Sequence, residues 1–320
     1  MILAAIALGI AGCGGDSGDE GADKPPPPAN PEDFPKAGGR TLAQLEQELG
    51  GEGPVLAPSV SQFKPGENRF GFGLFDRSRA QIADAPAAIY VAPVGGGKAR
   101  GPFVARYESL AVKAQFQSRS VSSDPEAAKS LYVADLPFGK AGRYDVLGVV
   151  RLDGRLVAAG NAAGPVQVME RSRVPDVGDR APKVNTPTKA QAGGDIESID
   201  TRQPPSSMHE ENFADVVGKK PVVLLFATPA LCQSRVCGPV VDIAEQVKAE
   251  RGPEAEFIHQ EIFVDNEVDK GFRPQVLRWR LPTEPWAFAI DANGRVAARL
   301  EGAFSAEELD QAVDAAVKKG

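Results

Sequence analysis

The stretch that decides the fold runs from Pro221 to Val240, PVVLLFATPALCQSRVCGPV. Its first six residues, Pro221-Val222-Val223-Leu224-Leu225-Phe226, are continuously apolar and rich in β-branched side chains, the pattern of a strand buried on both faces. Cys232 and Cys237 follow in the next loop. Pro239 stands where a helix can begin, since a missing N–H costs nothing in the first turn. Val240, Ile243, Ala244 and Val247 then carry the i, i+3, i+4, i+7 stripe of an amphipathic helix. Two residues five apart on a regular helix are separated by about 7.5 Å of rise, more than the roughly 4.4 to 6.8 Å a disulfide tolerates between Cα atoms. Either Cys232 therefore lies in a loop ahead of the helix, or the pair closes only when the first turn melts.

Downstream, Phe257 to Val264 reads as a second strand, Trp286 to Ile290 as a third, and Arg295 to Leu300 as a fourth across the Ala292-Asn293-Gly294 turn. Ser305 and Glu308 form a capping box for a last helix with Leu309, Ala312, Val313 and Ala316 on one face. Strand, helix, strand, short helix, hairpin and helix is the thioredoxin order. The segment 174–320 resembles the extracytoplasmic TlpA-type thioredoxin-like proteins. VGDRAP (177–182) is similar to their opening phrase, VVLLFATPALC to the strand entering the active site, and PWAFAIDANGRV to the strand after the cis-proline. The resemblance implies that Pro285 is the cis-proline beside the cysteines, with Glu284 and Trp286 flanking it as substrate contacts.

The resemblance departs at the active site, where four residues, Gln233-Ser234-Arg235-Val236, separate the cysteines instead of two. A thiol at a helix N-terminus has its anion stabilised by the helix field, and Arg235 offers further positive charge. Cys232 is expected to attack and Cys237 to resolve, although Cys237-Gly238-Pro239-Val240 also copies the start of the thioredoxin CGPC phrase and would put Cys237 in the nucleophile position. Carboxylates at Glu284 or Asp242 are candidate proton acceptors, with Asp242 equally readable as facing water. The expected activity is thiol–disulfide exchange with protein thiols or disulfides and a redox partner, and no cofactor is implied.

Three other readings compete. The spacing and Thr228-Pro229 resemble bacterioferritin-comigratory peroxiredoxins, which implies a thiol peroxidase. A copper chaperone like Sco would add a histidine ligand, but the chain has only His209 and His259, neither of them late in the domain. The last is a passive surface scaffold with a structural disulfide.

Upstream, 55–170 reads as an all-β sandwich, with short alternating runs such as Phe70-Phe72-Leu74 and Ile89-Tyr90-Val91. A hairpin from Tyr144 to Ala159 turns at Asp153-Gly154. Ala141 to Val146 resembles the tyrosine corner of immunoglobulin-like domains, which implies an immunoglobulin-like sandwich. No histidine falls in it and its acids and bases are scattered, so its expected role is positioning or partner contact, with a purely structural domain as the alternative. The two-domain expectation agrees with the length of 320 residues.

Residues 13–54 are rich in Pro, Gly and acids and read as a disordered spacer ending in a short helix capped by Thr41 and Gln44. The apolar segment 1–12, MILAAIALGIAG, is too short to span a bilayer. With Cys13 it resembles the lipobox of bacterial lipoproteins, which implies lipidation at Cys13 and a membrane-tethered protein facing outside the cytoplasm. A net charge of −7, from 36 basic and 43 acidic residues, argues against nucleic acid as a partner.

Overall fold

The computed structural model describes residues 28–50, 53–232 and 234–318. The segment 1–12 and Cys13 lie outside them. Among the described residues no helix is long and apolar enough to cross a membrane.

The first half builds strands β1 (Val55–Pro58), β2 (Gly66–Phe75), β3 (Ala87–Pro93), β4 (Arg100–Val104), β5 (Arg106–Ser109), β6 (Ser130–Phe138), β7 (Gly142–Leu152), β8 (Arg155–Asn161) and β9 (Val166–Val168). Alternation sorts their side chains. Phe70, Phe72, Leu74, Ala87, Ile89 and Val91 enter one core, while Ala88 and Tyr90 face the other way. The β7–β8 hairpin turns at Asp153 and Gly154, with φ of 49° and 77°, as a two-residue turn between twisted strands requires. The Tyr144 hydroxyl donates to the Lys140 carbonyl at 2.9 Å, the bond expected of a tyrosine corner.

The immunoglobulin-like architecture needs correction. The strands form one bonded path, β4-β3-β7-β8-β1-β2-β6-β5, with β9 on β7. Its two ends, β4 and β5, are consecutive pieces of one chain separated only by Ala105, so the sheet curls back on itself. Strand β1 pairs in parallel with β8 and antiparallel with β2, joining what two separate sheets would keep apart.

The spacer reading also changes at its C-terminal end. Helix α1 (Leu42–Leu49) carries the expected capping box, and Leu45 and Phe34 bury against the back of the sheet beside Tyr90 and Leu147. Enough apolar surface is covered to hold 28–50 in place, despite its proline and glycine content.

In the second half, β10 (Val222–Phe226) lies between β11 (Glu256–Gln260), its parallel neighbour, and β12 (Trp286–Ile290), its antiparallel one. Strand β13 (Val296–Glu301) completes the order β11-β10-β12-β13. This is the thioredoxin arrangement. Val223 and Leu225 face the long helices α4 (Cys237–Arg251) and α6 (Ala306–Lys318). Val222, Leu224 and Phe226 face the opposite core with Trp279 of the short helix α5 (Pro274–Trp279). Strand β11 ends at Gln260, four residues short of the expected Val264, because its partner β10 ends at Phe226, opposite Gln260, and no strand continues the ladder.

The two halves share a core. Leu110, Leu131 and Val133 of the first pack with Val240, Ile243 and Phe304 of the second. Arg69 forks onto both carboxylate oxygens of Glu308 at 2.7 Å, and Glu301 accepts from the Ser61 and Gln62 backbone at 2.8 and 3.0 Å. The long β5–β6 connection carries the short helix α2 (Arg119–Ser122) and lies across the outer face of α4. Helix α4 is consequently buried nearly all round its first half.

Candidate functional site

Strand β10 delivers the chain into the cysteine loop at Ala227, and α4 begins at Cys237, the first residue of its first turn. Cys232 sits in the loop ahead of the helix, so the first of the two geometries anticipated for the pair is the one adopted. The two sulfurs and a Glu284 carboxylate oxygen all lie within 4.8 Å of one another. Cys237 is completely buried, whereas Cys232 is only partly covered.

That difference splits their acidity. The Cys232 thiol is brought down to about 6, chiefly by a hydrogen bond from the Cys237 thiol. Burial opposes this, and Ser234 and the backbone N–H groups of Cys237 and Val236 add to it. The Ser234 hydroxyl stands 3.3 Å from the Cys232 sulfur. Helix start and loop together thus point donors at one sulfur. Burial pushes the Cys237 thiol well above the ordinary range, reinforced by the nearby Cys232 and Glu284. Glu284 is itself pushed up to about 8, by burial first and then by the charge of Cys232 and of Glu261. Its Oε2 is buried with no hydrogen-bond partner.

An alkylation profile reads this directly. With iodoacetamide under reducing conditions, the modification rate of Cys232 is expected to rise through a midpoint near pH 6 and level off above it, while Cys237 stays unmodified. A Cys232 midpoint in the ordinary thiol range near 9 would contradict the hydrogen-bonded thiolate.

The Glu284–Pro285 peptide is cis. The Pro285 carbonyl is already engaged, accepting from the Gly302 N–H at 2.9 Å. Trp286, expected to contact substrate, is instead 1% exposed. Its ring stacks on Phe288, its indole N–H donates to Thr283 and the Arg299 guanidinium lies over it, so it serves the core. Arg235, expected to lend charge to the thiol, turns toward the first half and pairs with Asp124 and Glu126 at 2.8 Å each. Asp242 does not face water. It is buried against Arg202 at 2.8 Å and accepts from the Ser118 N–H and hydroxyl.

No family model and no curated protein matches this chain. Among solved structures, it is similar to a Chlorobium tepidum protein described as a thiol:disulfide interchange protein DsbE. The identity is 19% and the TM-score 0.33, over 45% of this chain and 99% of that one. It is also similar to a thiol:disulfide interchange protein of the thioredoxin family from Chlorobium tepidum TLS. There the identity is 17% and the TM-score 0.30, over 46% and 99% of the two chains.

Sequence reading missed a second buried cluster. Asp200, His209 and His259 lie far apart in the chain, and nothing in their spacing announces them. His209 stands 2.9 Å and His259 3.3 Å from one oxygen of Asp200, and the far nitrogen of His259 meets the Ala227 carbonyl at 3.1 Å, directly behind the cysteine loop. Burial favours the neutral ring of His259, but the Asp200 carboxylate outweighs it and holds the ring protonated, up to about 9. The cluster reads as an ion pair that anchors the loop. These three residues, and separately Cys232, Cys237 and Glu284, are the two described groups whose donor atoms stand close enough to hold a metal ion. Neither histidine belongs to the cysteine group, so the set a Sco-like site would need is not assembled.

Proposed function

We propose that the protein exchanges thiols and disulfides with cysteine-containing substrates, outside the cytoplasm and tethered through lipid on Cys13. The carrying observation is the asymmetric pair: a partly open sulfur of low pKa within reach of a buried one of high pKa. The tether rests on the lipobox-like sequence at 10–13 alone.

The chemistry follows from the charges. The Cys232 thiolate attacks a substrate disulfide, forms a mixed disulfide and expels the first substrate thiolate. Its negative charge disappears in that step, and with it one of the causes that keep Glu284 protonated. Glu284 then gives its proton to the departing first substrate thiolate and, as a carboxylate, takes the proton of Cys237 and passes it to the second thiolate when that leaves. The Cys237 thiolate attacks the Cys232 sulfur, and the second substrate thiolate leaves and is protonated. The substrate disulfide has gained two electrons and the cysteine pair has lost them. A dithiol partner restores the pair, and the same steps reversed oxidise a dithiol. Thr228, the residue that recommended a peroxidase, is completely buried.

The test is reduction of a disulfide-linked peptide by the full chain with a dithiol supplied. Cys232→Ser is expected to return the rate to the uncatalysed level. Retention of the full rate in that variant would leave only a structural role for the pair.

A further inference from the structure

The first half of the chain supplies one wall of the cleft at the cysteines. A cavity of about 450 Å³ opens beside Cys232, with Pro229, Ala230, Arg235 and Pro239 on one side and Ser120, Ser123 and Ala127 of the β5–β6 connection on the other. That connection is fixed in place. The Phe116 carbonyl accepts from the Arg202 guanidinium at 2.7 Å, the Arg119 N–H donates to the Gln203 carbonyl at 2.8 Å, and Ser118 is held by Asp242. Arg235, inside the four-residue loop between the cysteines, clasps Asp124 and Glu126, and its carbonyl accepts from the Ala128 N–H at 3.3 Å. Val121 packs so closely on the first turn of α4 that a Cβ at Gly238 would come within 2.8 Å of it.

We propose that this wall makes the site selective for an extended polar peptide segment carrying the reactive cysteine, and excludes the flat surface of a folded domain. The inference rests on the thiol-exchange reading. The volume falls in the range of about 300 to 1,000 Å³ typical of pockets for small ligands, room for a few residues of extended chain and no more. The lining suits such a segment. Serine hydroxyls can bond a peptide backbone, and Arg235 is shared between Asp124 and Glu126, which leaves one negative charge in excess at the wall, so acidic flanking side chains are disfavoured. A substrate sulfur meeting Cys232 brings its flanking residues into this space, because Cys232 itself lines it.

The test compares an unstructured Ser/Asn-rich peptide disulfide with bis(2-hydroxyethyl) disulfide, which is too small to reach the wall. Ala127→Trp and Ser123→Trp fill the cavity from the first half. Each is expected to lower the peptide-to-small-disulfide ratio of kcat/KM by about tenfold or more, chiefly through the KM for peptide. A ratio unchanged in both variants overturns the proposal while the exchange reading stands. Absence of exchange with either probe in the unmutated chain overturns both. A second measurement leaves the wall intact. When the peptide is trapped on Cys232 in the Cys237→Ser chain, the amides of 119–127 are expected to exchange hydrogen more slowly than in the free protein. Unaltered exchange there overturns the proposal, as does equal turnover of a disulfide on the surface of a folded domain.

Discussion

Cys237→Ser is expected to convert the protein from a turnover catalyst into a trap. Cys232 keeps its partly open position, so it still attacks and still forms the mixed disulfide. The serine hydroxyl does not resolve it, and one substrate chain remains attached per protein. Non-reducing electrophoresis or intact mass would show an adduct that accumulates with Cys237→Ser and is absent with Cys232→Ser. The contrast follows from burial: Cys237 is completely enclosed, so an incoming disulfide meets Cys232 first. If the Cys232→Ser chain accumulated the adduct instead, the assignment of attacking and resolving sulfurs would be reversed, as the CGPV phrase at 237–240 allows. Cys237→Ala, which has no hydroxyl to donate in place of the thiol, removes the hydrogen bond that lowers Cys232, so in that variant the alkylation midpoint is expected to move above 6. Glu284→Gln gives a milder version of the trap. The glutamine cannot take the Cys237 proton, so the mixed disulfide persists longer before resolution.

Arg202→Met is expected to cost about 3 to 5 kcal/mol of stability, because it leaves Asp242 as a buried carboxylate without its cation. The pair is 6% and 1% exposed, so solvent screening relieves little of this cost. Urea unfolding at neutral pH measures it, and a loss below about 1 kcal/mol would mean that the pair is weak. The sign with pH is fixed. Burial already raises Asp242 above 3.8 with Arg202 present, and removing the cation raises it further. A carboxyl whose folded pKa is raised favours the fold while protonated and loses that contribution as pH rises through the folded value. The deficit of the variant should therefore be smallest below about 3.8 and grow toward neutral pH. Arg202→Met with Asp242→Leu should recover much of the loss, since an apolar pair leaves no buried charge. Arg202 also binds the Phe116 carbonyl, so the single variant should loosen the connection that walls the cysteine cleft.

What the sequence determined by itself was local and periodic. The apolar run at 221–226, the caps at Thr41 and Ser305, the Asp153-Gly154 turn and the order of elements after 220 all follow from neighbours in the chain, and each stands where the pattern put it. The cysteine spacing likewise announced a pair that needs a loop ahead of the helix. Pairing across distance was not legible. Asp242 lies near the apolar stripe of α4 and reads as solvent-facing until the first half covers it. Arg235 reads as a charge for the thiol until Asp124 and Glu126, more than a hundred positions away, claim it. Trp286 beside a cis-proline reads as a groove wall, but strand alternation and the stack on Phe288 turn it inward. Hydrophobic periodicity specifies which face of an element is buried and says nothing of which element covers it. Joining both halves around α4 was therefore decided only when the β5–β6 connection and the helix met in three dimensions.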